Sequence, residues 1–224
     1  MARESSAAKQ ARVRKIVAVL KRTHPDAKLA LDFTTPLELL VALILAAQAR
    51  DDLVNAVTPQ LFAKYHSAAD YASASESALQ QQVSRINFFR QKTRSIQRAA
   101  AMLVKDFDGN VPGNIDDLLK LPGVGRKTAN AILANAFGQP AIVVDTHTWR
   151  LSQRLGLTAK DDPDKIEADL AAIVPRKDWT KFCHLLQFHG RRVCLARNPN
   201  CPNCSIKNLC PKIGVNANKP TRKS

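Results

Sequence analysis

The stretch Thr35-Pro36-Leu37-Glu38-Leu39-Leu40-Val41-Ala42-Leu43-Ile44-Leu45-Ala46-Ala47-Gln48 constrains the fold more than any other. A threonine, a proline at the first helical position and a glutamate two residues later form a helix-start signature. From Leu39 to Ala47 no polar side chain interrupts the run. A helix apolar on every side belongs in a core. The run is far shorter than the ~20 residues that a membrane-spanning helix needs, so that core is the protein's own. Further helical patterns lie at 11–22, 51–65, 75–83, 90–106, 115–120, 127–137, 146–155, 164–173 and 178–189. Asn114, Asp145 and Asp178 are expected as caps, and Gly138 and Gly190 as stops. Only Ala141–Val144 reads as extended, so the expected class is all-α. The two ends, 1–10 and 214–224, are polar and expected to be loose.

Hydrophobic residues make up 45% of the 224, which excludes a disordered chain. Charge then narrows the function: 34 Lys and Arg face 19 Asp and Glu, a net +15. Residues 1–28 carry +6 and residues 176–224 carry +10, while the middle carries −1. Such an excess implies a polyanionic partner, nucleic acid or an anionic membrane face. With no spanning segment and no secretory signal the membrane reading falls away, and an intracellular home with reduced thiols is expected. Arg85, Arg90, Lys92, Arg94, Arg98 and Lys105 follow one another without an acidic residue, as either a solvated helix face or a phosphate-contacting surface.

Three features carry chemistry. In Leu121-Pro122-Gly123-Val124-Gly125-Arg126-Lys127-Thr128-Ala129-Asn130 the glycines permit a tight turn whose backbone N–H groups face outward beside a helix N-terminus. Such a turn grips a phosphate without reading bases, or is an ordinary interhelical turn. A helix over 127–137 advances ~15 Å, and about five extended residues return the same distance, so Asp145 can lie beside Lys127. A partly desolvated lysine at a helix N-terminus has a depressed pKa and a nucleophilic amine, and a nearby carboxylate stabilises developing positive charge. Against this, Asp145 serves equally as a plain cap and Lys127 as a phosphate contact. Finally, Cys194, Cys201, Cys204 and Cys210 crowd into 17 residues with a single C-x2-C, so an iron–sulfur cluster competes with zinc. Cys183 stands apart and reads as a buried apolar thiol.

The segments Leu121–Asn130, Val144-Asp145-Thr146-His147, His189-Gly190-Arg191 and the cysteine array, in this order and spacing, closely resemble the endonuclease III family of DNA glycosylases from about Ala11 to Pro211. The resemblance implies an all-α helix-hairpin-helix DNA glycosylase. A helical barrel domain over 30–139 would carry the hairpin at about 115–137. An iron–sulfur cluster domain would combine 1–29 with 140–213, and 214–224 would be a loose basic tail. The two basic ends would then form one domain facing DNA across a cleft from the hairpin. Lys127 would be the nucleophile and Asp145 the second catalytic residue. Cys194, Cys201, Cys204 and Cys210 would ligate a [4Fe-4S] cluster. Gln48 and Phe88 would enter the DNA, and Gly123, Val124, Gly125, Arg126 and His147 would contact it.

The implied activity is a bifunctional glycosylase and abasic-site lyase of base excision repair acting on oxidised pyrimidines. Its partner would be double-stranded DNA containing damaged bases or abasic sites, its state a monomer and its place a bacterial cytoplasm. A monofunctional adenine-type glycosylase and a non-catalytic or narrow-specificity paralogue are the competing readings. The chain departs from the family pattern at Asn87, Phe89 and Arg90 in the wedge loop and at Arg50 after Gln48. The loop Arg197-Asn198-Pro199-Asn200 is less basic than in many relatives, with Arg191, Arg192 and Lys207 as compensating charges.

Overall fold

The computed structural model describes residues 4–215. They form eleven α-helices: α1 Ser6–Thr23, α2 Pro36–Ala46, α3 Asp51–Lys64, α4 Ala68–Ser73, α5 Glu76–Gln82, α6 Phe89–Asp106, α7 Ile115–Leu118, α8 Arg126–Ala136, α9 Thr146–Arg154, α10 Pro163–Ile173 and α11 Trp179–Arg192. Among the described residues there is no strand, and no helix is long and apolar enough to cross a membrane. Ala141–Val144, expected extended, takes no regular secondary structure. The chain divides into two compact units, Leu29–Gln139 and Met1–Lys28 with Pro140–Ser224.

In the unit 29–139 the capping box expected at the start of α2 is present: the Thr35 hydroxyl accepts the Glu38 N–H at 3.1 Å, and the Glu38 carboxylate reaches back to the Thr35 N–H. Leu39, Leu40, Ala42 and Leu45 are at most 1% exposed, as an all-apolar helix requires. Around it pack Val54 and Leu61 of α3, Tyr71 of α4, Leu79 of α5, Ile96 and Leu103 of α6, Leu118 of α7 and Ile132 of α8, all in one core. Helix α4 escapes the sequence reading, yet its start is a second capping box, Ser67 and Asp70. At six residues it is too short to show a helical period.

The other unit has its own core, where Val13, Ile16 and Leu20 of α1 meet Leu151 of α9, Ile166 and Leu170 of α10 and Phe182, Leu185 and Leu186 of α11. Two expectations are corrected here. Residues 5–10 are not loose, residues 1–3 lying outside the described residues: Ser5 caps α1 by accepting the Ala8 N–H at 3.2 Å. Arg12 locks the helix down by donating to the carbonyls of Leu155 and Leu209, at 2.8 and 3.0 Å, while pairing with Glu4. Gly190 is not a stop either, because α11 runs on to Arg192. A Cβ at Gly190 would stand 2.8 Å from His147 Nδ1, so glycine is there for close packing rather than for termination. Asp178 sits at the start of α11 but makes no side-chain cap bond; it pairs with Lys21 at 2.7 Å. Most of the expected basic tail lies outside the described residues.

The Thr35 cap gives a direct test. Thr35→Ala removes an acceptor for a first-turn N–H and should cost about 1 kcal/mol of stability, read as a lower urea midpoint in far-ultraviolet circular dichroism with an unchanged slope.

Candidate functional site

Helix α7, the turn Leu121–Gly125 and helix α8 form the hairpin anticipated from sequence. Gly123 has φ +83° and its missing Cβ would lie 2.9 Å from Ser95 Cβ on α6 and 3.8 Å from Ile44 Cγ1 on α2, so the turn is seated directly on the core helices. Val124 is buried and anchors it. Gly125 is the N-cap of α8, no side chain caps that helix, and a Cβ at Gly125 would meet nothing within 4 Å. The turn therefore presents free backbone to solvent at the positive end of a helix, the arrangement that holds an anion.

Lys127 follows in the first turn of α8 and is exposed, as is Arg126. The partial desolvation expected of Lys127 is thus not supplied by the protein alone. Asp145 is the N-cap of α9 in the other unit and is half-buried. Its Oδ1 accepts the Thr148 N–H at 2.7 Å, and its Oδ2 accepts the Gln187 Nε2–H at 3.2 Å from α11. Both oxygens are therefore held, which fixes the plane of the carboxylate. His147, on the same first turn, packs on Gly190 and lies 3.1 Å from Arg150 Nη2.

Gln48 and Phe88 share an unusual backbone state. Their φ angles are +55° and +57°, in the left-handed region that non-glycine residues enter at about 1–2 kcal/mol each. For a bulky aromatic such a φ is a true outlier. Gln48 is exposed just past the C-terminus of α2, and Phe88 is 62% exposed as the N-cap of α6. Phe88 is therefore not a core aromatic. Arg50, two residues after Gln48, forms a two-bond ion pair with Asp52.

The basic run splits. Arg85, Arg90, Arg94, Arg98 and Lys105 are exposed, with Arg94 paired to Glu76 at 2.9 Å. Lys92 is only 6% exposed, on the buried face of α6. Its Nζ donates to the Leu45 carbonyl at 2.8 Å, and burial pushes its pKa below the ordinary lysine value. The sequence carries a signal for this: Lys92 falls in register with Phe89, Ile96 and Leu103 on the apolar stripe of α6. Gln187 had no such signal, since nothing in the local pattern says that α11 passes Asp145.

All four cysteines of the array line one pocket, with Leu151, His189 and Ile206 among the other walls. Burial raises the thiol pKa values of Cys204 and Cys210, and the neighbouring cysteines raise them further. Two donors approach the sulfurs: the Lys212 N–H reaches Cys210 Sγ at 3.4 Å and Arg154 Nη1 reaches Cys194 Sγ at 3.3 Å, while His189 Nε2 and Cys204 Sγ lie 3.4 Å apart, with the donor set by the His189 tautomer. No three His, Cys, Asp or Glu side chains among the described residues are gathered to take a single metal ion. Four thiols around one shared volume, met by hydrogen-bond donors, fit a polynuclear iron–sulfur group. Cys183 is buried, accepts the Val143 N–H at 3.3 Å and has its thiol pushed up to about 12, an inert core group.

Arg192 and Lys207, expected to help compensate for the weakly basic cysteine loop, are committed within the protein. Arg192 holds Asp26 through two bonds of 3.0 and 2.6 Å and stacks over Phe188, and Lys207 donates to the Pro202 carbonyl at 3.0 Å. Even so the unit that joins the two termini has 23 Lys and Arg against 9 Asp and Glu, a net +14, whereas the unit 29–139 has 11 against 10, a net +1.

Residues 41–176 match a family described as the HhH-GPD superfamily base excision DNA repair protein. The chain is 47% identical to an endonuclease III of Synechocystis over 92% of its length and 94% of that protein's. It is 45% identical to an endonuclease III of Bacillus subtilis over 83% and 85%. Among solved structures it resembles a trapped endonuclease III–DNA covalent intermediate, an estranged-adenine complex, with a TM-score of 0.86 and 42% identity over 91% of this chain and 96% of that one.

His184, on α11 near Asp145, makes the site sensitive to acid. Burial pushes its pKa down to about 4, helped by Lys181 and opposed by Asp145. Below its ordinary value near 6.5 the unfolded chain takes up a proton that the folded chain refuses until about pH 4, so stability present above pH 6.5 is lost as the pH falls through that window. His184→Gln should flatten part of this loss in urea midpoints measured from neutral pH to about 4, and an unchanged slope would exclude the buried neutral ring as its source.

Proposed function

The chain belongs to the HhH-GPD superfamily of base excision DNA repair proteins, and on that premise we propose that it is an endonuclease III, a DNA glycosylase and abasic-site lyase in which Lys127 and Asp145 perform the chemistry on oxidised pyrimidines. The observation that carries the reading is Lys127 itself, exposed in the first turn of a helix whose N-terminus no side chain caps, directly after the open glycine turn.

A base within the stack is out of reach of any side chain, so the nucleotide must be turned out, at a few kcal/mol that is least for lesions that stack poorly. Phe88 and Gln48 stand on strained, exposed turns, suited to entering the space that a turned-out nucleotide leaves. Phosphates bind the backbone of Gly123–Arg126 and the basic surface of the other unit, which holds the DNA without choosing a sequence.

Cleavage of the glycosidic bond leaves positive charge on the sugar, and the fixed carboxylate of Asp145 stabilises it. The Lys127 Nζ lone pair forms a bond to C1′ as the base departs with the bonding pair and takes up a proton. Ring opening converts the adduct to an iminium ion, which acidifies the C2′ hydrogens. Loss of one of them to a base expels the 3′ phosphate, breaking the C3′–O bond, and hydrolysis of the imine returns the lysine. Cys194, Cys201, Cys204 and Cys210 would hold a [4Fe-4S] cluster. Bound there, the cluster supplies metal–thiolate bonds that staple the segment 194–210, and no step of base removal passes through it.

Borohydride added to the protein with duplex DNA bearing an oxidised pyrimidine should reduce the imine and leave a covalent adduct. Lys127→Ala should form none; no adduct with the wild type, or an undiminished one with the variant, would reject the mechanism. Purified protein should be brown and contain iron with inorganic sulfide. A colourless protein with stoichiometric zinc would replace the cluster assignment.

A further inference from the structure

Lys92 lies outside the chemistry just described, yet it joins the two strained turns assigned to the DNA. Its ammonium group is buried and donates to the carbonyl of Leu45 at 2.8 Å, in the last turn of α2, whose terminal carbonyls no helix bond satisfies. Among the described residues no carboxylate pairs with it. Three residues beyond Leu45 stands Gln48, at φ +55°. Lys92's own amide closes the first turn of α6 on the carbonyl of Phe88 at 3.1 Å, and Phe88 stands at φ +57°. One residue thus contacts the helix end that launches one strained turn and the strained residue of the other.

The partner groups explain the choice of lysine. A cation is favoured at the negative end of α2, and its long stem can stay within the apolar core while the ammonium reaches the carbonyl. An apolar residue there would leave the Leu45 carbonyl buried without a donor, and a shorter polar one would not reach it. One helical turn further along α6 stands Ser95, and a Cβ added at Gly123 would lie 2.9 Å from Ser95 Cβ and 3.8 Å from Ile44 Cγ1 of α2, so the hairpin turn sits close over both helices. The α2–α6 pair is therefore a common base for the Gln48 turn, the Phe88 turn and the hairpin, and Lys92 is the polar bond between its two helices.

We propose that Lys92 is a positioning residue that holds the Gln48 and Phe88 turns in fixed relation, so that both enter the DNA together when a nucleotide is turned out. The proposal rests on the reading of the protein as a glycosylase. It predicts a specific pattern of loss: without the ammonium the turns drift independently, insertion fails, and the phosphate grip of the hairpin persists, because the side chains that leave no room for a Cβ at Gly123 are those of Ser95 and Ile44, not of Lys92.

Lys92→Met keeps the length and apolar stem and removes the charge. Two duplexes are compared, one with a tetrahydrofuran abasic-site analogue opposite 2-aminopurine and one fully paired. The variant should retain the wild-type helical circular dichroism and bind the paired duplex within about twofold, since phosphate contacts dominate that affinity. The rise in 2-aminopurine fluorescence on the analogue, and kcat/KM for base release, should both fall by about tenfold or more, the scale of loss expected from a small displacement of positioning groups. Lys92→Arg, which restores a cation, should recover part of both.

An undiminished fluorescence rise in a folded variant would overturn the proposal, as would an equal loss of affinity for the two duplexes. Should Lys92→Met fail to fold, Lys92→Gln carries the same comparison; failure of both would also overturn it, since the lysine would then support the whole unit rather than two turns. A wild type that gives the fluorescence rise yet neither releases a base nor forms an adduct would remove the enzymatic reading alone.

Discussion

Helix α2 cannot face water on any side, and the unit Leu29–Gln139 follows from that constraint. Each fully buried Leu, Ile or Val contributes about 1.5–3 kcal/mol relative to exposure, so α3 to α8 gain most by closing around it. Wrapping a helix leaves its ends and the turns of its neighbours at the surface. Those are the places where Gln48, Phe88 and the hairpin stand. The strain at the first two is small beside the burial that surrounds them, which is how a structure sustains left-handed phenylalanine and glutamine.

Charge and chemistry are divided between the units on the same logic. The nearly neutral unit carries the Gln48 and Phe88 turns, the open glycine turn and Lys127, while the +14 unit carries Asp145 and the cysteines. Helix α9 ties the latter two together. It begins on Asp145, and its Arg150 and Arg154 donate to the carbonyls of Cys194, Leu195 and Ala196 at 3.1, 2.7 and 2.9 Å. Ordering of the cysteine segment is thereby linked through one rigid helix to the carboxylate. Several cations counted in the net charge have internal duties as well, Arg12 and Arg192 among them, so the total charge overstates what is free to meet phosphate.

The helices were legible because their starts are written in short-range chemistry. Thr35-Pro36-Leu37-Glu38, Asn114 and Asp145 are short-range cap signatures, and the structure uses each of them, whereas Asp178 pairs with Lys21 instead. The glycine turn, the lysine after it and the cysteine spacing were legible for the same reason: each is a local arrangement of backbone or ligands. The misreadings share the opposite property. Lys92 was counted with an exposed basic run, although its place on the apolar stripe of α6 was visible. Gly190 was taken for a stop, when its purpose is the approach of His147 from α9.

From the sequence alone came the class of the fold, every long helix, the open glycine turn and the residue types able to do the chemistry, since all of these depend on neighbours within about one helical turn. Tertiary structure decided which of those groups are spent on the fold and which are left for a partner. It buried Lys92 against the end of α2, exposed Phe88 and Lys127, and brought Gln187 to Asp145 from 42 residues away. A side chain's burial and its hydrogen-bond partners depend on which helix packs against it, and packing follows from the whole chain's apolar surface seeking cover, a quantity that no local window contains.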